Sequence, residues 1–144
     1  MGLDIGDNIW SEFKRMCELV ATNRPLTSTD GYASLTRKPS AMAAFTIRTV
    51  TQELENASYR KTLLGEAWKP EMWEDHPTDY VVAYDVPGAD KLELPNEVTS
   101  KFIEHATHLG YDPSKLANRY LARHANYIAE NYLSPRERGP AFKK

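Results

Sequence analysis

From Ser40 to Leu64 the chain runs without a proline or a glycine, and Pro39 and Gly65 stand at its two ends. No other stretch limits the fold so strongly. It predicts one long helix over 40–65, capped by Ser40 and stopped by Gly65. Ala43, Ile47, Val50, Leu54, Ala57 and Leu64 fall on one helical stripe, with Met42 and Phe45 beside it. Arg48, Gln52, Glu55, Arg60 and Lys61 mark the opposite, solvated face.

Three further helices are expected. Over 7–23, Ile9, Phe13, Met16 and Val20 recur at helical spacing beside Trp10 and Cys17, with Asp7 or Asn8 as cap. Over 96–109, Asn96 opens a helix with Val98, Phe102, Ile103, Ala106 and Leu109 on its apolar face, and Gly110 closes it. Asp112-Pro113 then starts a fourth, a cap followed by a proline in the first turn. Leu116, Tyr120, Leu121, His124, Tyr127 and Ile128 line it to about Leu133.

The rest of the chain reads differently. The segment 24–39 is rich in turn formers and is expected to be an extended linker, of a length that often lies across a partner. Between the second and third helices, 66–79 carries two prolines, many charges and the large apolar Trp68, Met72 and Trp73. Tyr80, Val82, Tyr84 and Val86 alternate as a strand, Pro87-Gly88 suits a type II turn, and Leu92 and Leu94 can form a second strand. The tail 134–144 is basic and expected to be extended. The fold class is therefore mainly α, a single domain over 1–144 with about four helices and a short β-hairpin inserted between the second and third.

Composition points to a modest core. Leu, Ile, Val and Phe together make up only 28 of the 144 residues, while 15 Ala, 8 Tyr and 3 Trp supply the balance. Closely approaching helices with a few aromatic plugs fit that mixture, and partner surfaces are expected to add stability. No run of apolar residues reaches membrane-spanning length. The opening Met1-Gly-Leu-Asp-Ile-Gly-Asp7 has acids where a secretory leader has bases, and the lone Cys17 offers no disulfide framework. An intracellular setting is expected, in cytoplasm, organelle matrix or virion interior. Residues 66–93 hold 2 basic and 8 acidic side chains, whereas 96–144 hold 8 basic and 5 acidic, so two regions of opposite sign are available to partners.

Chemistry-bearing patterns are sparse. His105 and His108 share a face of the third helix with Glu104 nearby, and His124 lies on the next helix, yet the spacing matches no metal-binding motif. Glu71, Glu74, Asp75, His76 and Asp79 crowd one proline-broken loop, which reads as a solvated acidic docking surface. There is no phosphate-cradling glycine loop. No cofactor, metal or catalytic residue is expected.

The stretch Ser100 to Tyr120 resembles a helix-turn-helix, with Ala106, Gly110 and Leu116 at the small, turning and apolar positions. Leu109-Gly-Tyr-Asp-Pro-Ser-Lys-Leu116 is similar to the turn of arabinose-regulator-type transcription factors. That resemblance implies a recognition helix placing Lys115, Asn118, Arg119 and Arg123 on a groove or its phosphates. The same residues also read as an αα-hairpin, and the net charge of −2 supplies no general basic footprint.

The leading expectation is a non-catalytic accessory or assembly subunit that binds other proteins in a larger complex, a viral particle or an organellar machine. Trp68, Met72, Trp73, Tyr80 and Phe142 are the expected interface anchors, because aromatic residues and Met are favoured there. A helix-turn-helix DNA-binding regulator is the alternative.

Overall fold

The computed structural model describes residues 2–23, 35–73, 81–82, 90–139 and 142–143. It is mainly helical. The helices are α1 (Asp7–Asn23), α2 (Pro39–Leu64), α3 (Asn96–His108), α4 (Pro113–Tyr132) and the single turn α5 (Pro135–Arg138). Two 3₁₀ turns, Gly65–Ala67 and Pro70–Met72, follow α2 directly.

The four long helices form where periodicity places them, and their starts follow local chemistry. Asp112 caps α4, its carboxylate accepting from the amides of Ser114 and Lys115 at 3.0 and 3.2 Å. Ser40 does not cap α2: Pro39 already occupies the first turn and Lys38 is the capping position, with no side-chain bond. Pro95, likewise, takes the cap position expected for Asn96. At the other end of α3, Gly110 adopts φ 91°, its N–H donating to Thr107, while Tyr111 N–H donates to the Ala106 carbonyl at 2.9 Å. This is a Schellman closure, and only glycine enters that backbone region without strain.

Side-chain pairs set the register between helices. Arg48 lies 3.7 Å from Glu97, Glu55 lies 3.7 Å from His105, and the Lys61 ammonium donates to the His108 carbonyl. Both numbers rise together, so α2 and α3 run parallel. Gly6 meets Asn118 and Phe13 meets His124, so α1 and α4 also run parallel. Parallel neighbours cannot be joined by a tight turn. The chain must travel back along about 20 Å of α3 before it can start that helix, and the segment 65–95 makes this return.

Helix α4 lies at the centre and touches α1, α2 and α3. The core joins Phe13, Met16, Cys17 and Val20 of α1, Met42, Ile47, Val50 and Leu54 of α2, Phe102 of α3 and Leu116, Leu121 and Ile128 of α4. Ala43, Ala57, Ala106, Ala117, Ala122, Ala125 and Ala129 are buried among them and let the helix backbones come close. Glu12 is fully buried, and its carboxylate takes the Arg15 guanidinium at 2.6 Å.

Several expectations need correction. Among the described residues the expected β-hairpin is not found. Leu92 and Leu94 lie outside any strand and pack against the helical core, while the Asp90 carbonyl is held by the Trp10 indole N–H. Val81–Val82 instead pairs antiparallel with Phe142–Lys143, Val82 opposite Phe142. The tail from 134 onward begins as the helical turn α5, where Ser134 and Glu137 make a reciprocal capping box. Of the expected linker, 24–34 lies outside the described residues, as do the strand residues beyond Val81–Val82 and the Pro87-Gly88 turn. No helix among the described residues is long and apolar enough to cross a membrane.

Candidate interaction surfaces

The expected interface anchors part company in the structure. Trp68 joins the core, and its indole N–H is buried with no acceptor among the described residues. It is therefore unavailable as an exposed anchor. Trp73 is half-buried over the α3–α4 turn, its ring 5.5 Å from Tyr111 and 5.8 Å from Tyr120. Tyr111 donates its hydroxyl to the Pro70 carbonyl, which pins this turn beneath α3 and α4. Met72 remains exposed. Tyr80 lies outside the described residues, and Phe142 is described through its backbone pairing with Val82.

Sequence periodicity missed three further exposed side chains. Tyr59, Leu63 and Leu64 stand in solvent at the end of α2, although Leu64 falls on the apolar stripe. Its exposure has a geometric cause: the α2–α3 register reaches His108, the last residue of α3, at Lys61, so the final turn of α2 runs past the end of α3. Below that turn Lys61, Thr62, Gly65, Glu66, Trp68, Pro70, His108 and Leu109 line an open groove of about 600 Å³.

Of the four residues the helix-turn-helix resemblance assigns to DNA, only Lys115 is exposed. Asn118 clasps the N-terminal arm: its Nδ2 donates to the Asp4 carbonyl at 2.9 Å and its Oδ1 accepts from Gly6 N–H at 2.8 Å. Arg119 is half-buried, and Arg123 lies over the Tyr120 ring at 5.0 Å. Trp73, Tyr120 and Arg123 thus form one ladder across the turn.

The histidines do not converge. His105 stands between Glu55 at 3.7 Å and Ser58 at 3.5 Å, on the open α2–α3 seam. Those distances lie outside the hydrogen-bonding reach that activation of a serine needs. His124 sits between α1 and α2, edge-on to Phe13 and bonded through Nδ1 to the Thr46 hydroxyl. Burial pushes its pKa down to about 4. Among the described residues no three His, Cys, Asp or Glu side chains come together as a metal site.

A second opening lies on the other side of the molecule. The arm 2–6 and the segment 91–94 form two walls of a cleft of about 920 Å³, with Trp10, Ser11 and Thr99 also lining it. Leu3 and Ile5 on one wall, and Leu92 and Leu94 on the other, are half-buried against the core. The cue available in the sequence was the matched pattern Leu3-Asp4-Ile5 and Leu92-Glu93-Leu94, apolar residues alternating around an acid.

Comparison with known protein families, curated proteins and solved structures finds no match.

Proposed function

We propose that this protein is a non-catalytic accessory or assembly subunit that works by binding other proteins in a larger complex. One observation carries this reading. Tyr59, Leu63, Leu64 and Met72 are 66%, 67%, 47% and 55% exposed, and all four belong to the end of α2 and the turns that follow it. Large apolar side chains scattered singly need no explanation, but their concentration on one short stretch marks a contact surface. The half-buried Trp73 and the groove beside Trp68 adjoin this stretch in sequence and supply shape.

The test is a double substitution, Leu63→Ser with Met72→Ser. Both positions are exposed, so the fold is retained, which circular dichroism checks. Size fractionation of native extract is expected to show the wild-type chain in a large complex and the variant released from it. A wild-type chain running as a free monomer in that extract, or a variant that stays in the complex, overturns the proposal.

A further inference from the structure

The cleft between the N-terminal arm and residues 91–94 is a different surface, and its walls have the properties of unpaired strands. In the arm, Leu3 and Ile5 turn inward while Gly2, Asp4 and Gly6 are exposed; opposite, Leu92 and Leu94 turn inward while Lys91 and Glu93 are exposed. Both segments therefore alternate between inward and outward side chains, as half-buried strands do.

Only part of their backbone is engaged. Asp4 N–H donates to the Ser114 hydroxyl at 2.9 Å, and the Asp4 carbonyl and Gly6 N–H are held by Asn118. Successive residues of an extended chain aim their N–H and C=O groups to opposite sides. The backbone groups of Leu3 and Ile5 are thereby turned away from α4. Among the described residues no hydrogen bond engages the backbone of Leu3, Ile5 or residues 91–94. The floor is fixed, because the Trp10 indole ties α1 to the Asp90 carbonyl and so sets the second wall in place. An exposed strand edge of this kind is a template for another strand.

Charge selects the strand. The lining carries Asp4, Asp7 and Glu93 against the single Lys91. Asp90, at the edge, is balanced by Lys14 at 3.6 Å. We infer that this cleft captures an extended, basic segment of a partner protein by strand addition, its backbone pairing with the walls and its alternate apolar side chains facing Leu3, Ile5, Leu92 and Leu94. Main-chain bonds supply affinity, and the acidic rim supplies the preference for Lys and Arg.

The probe is a short fluorescent peptide of alternating Lys and Val, titrated by anisotropy into the full chain at low ionic strength. It runs beside two controls: the same peptide N-methylated at every second backbone nitrogen, and a Glu/Val counterpart. Saturable binding of the Lys/Val peptide is expected, with amide exchange slowed over 2–6 and 90–95. The N-methylated control should bind at least about tenfold more weakly, the factor that one lost backbone bond gives, and the Glu/Val control should bind more weakly through charge repulsion from the acidic rim. The surface variant Asp4→Asn with Glu93→Gln should weaken the Lys/Val peptide several-fold and flatten its salt dependence. Three results overturn the inference: no saturable binding, equal binding of the N-methylated peptide, or protection appearing at the end of α2 instead. The last would leave the accessory-subunit reading standing while removing this one.

Discussion

The amide of Asn118 bridges the backbones of Asp4 and Gly6, donating to one at 2.9 Å and accepting from the other at 2.8 Å. One side chain thus imitates the edge of a strand and holds the arm against α4. Asn118→Ala is expected to cost about 1–2 kcal/mol, because these bonds are partly exposed. Amide exchange at Gly6 should rise about tenfold while the centre of α1 is unchanged. Unaltered exchange at Gly6 would show that the clasp contributes nothing.

Trp68 sets shape against an unmet hydrogen bond. Its indole is buried, and the N–H lacks an acceptor among the described residues. Trp68→Ala is expected to cost about 3–5 kcal/mol through the cavity it leaves. Trp68→Phe removes the unsatisfied donor, whose burial costs about 1–3 kcal/mol, and so should lie within about 1 kcal/mol of wild type. Urea denaturation of both variants checks the difference.

His124 makes stability depend on pH. In the fold its pKa is about 4 rather than 6.5, lowered by burial, so it is held neutral. Between those values the unfolded chain binds the proton and the folded chain does not. Stability therefore falls as pH drops from about 6.5 to about 4, by about 3 kcal/mol in all, and this contribution is constant above and below that window. Comparing urea midpoints at pH 7 and pH 5 for wild type and His124→Gln isolates it, since the variant should lose that slope.

Cys17 is fully buried, and burial, with Glu18 adding a smaller effect, pushes its thiol up to about 12. The thiolate is the reactive form. Aromatic disulfide reagents at pH 8 should therefore leave the native protein unlabelled over hours and modify it promptly in denaturant. Prompt labelling without denaturant would show that α1 opens freely.

These expectations rest on a core that could be read directly, and the reasons for the exceptions are particular. Phe13, Met16 and Val20 repeat at helical spacing and are buried, and Asp112-Pro113 announces α4 through local chemistry alone. Leu64 shares that spacing but is exposed, because a helix's stripe is buried only as far as its neighbour extends. The alternation at Leu92 and Leu94 marks which side chains turn toward the core but not the strand expected there, because alternation says nothing of what pairs with it. The parallel register of α2 and α3 was hidden for the same reason, since it depends on which distant residues meet. Of the candidate anchors, Met72 is exposed and Trp73 half-buried. The burial of Trp68 was not legible, because a large aromatic ring signals the need for cover without saying whether this chain or another provides it.

The buried alanines set how far this fold can drift. Ala106, Ala117, Ala122 and Ala125 are wholly buried, so an added methyl group there overpacks the core and costs about 1–3 kcal/mol. Substitutions elsewhere can be absorbed one at a time, whereas enlargement along this spine needs matched reductions on the facing helix. Descendants of this sequence should therefore vary on the outside while keeping small residues in coordinated sets along the inside.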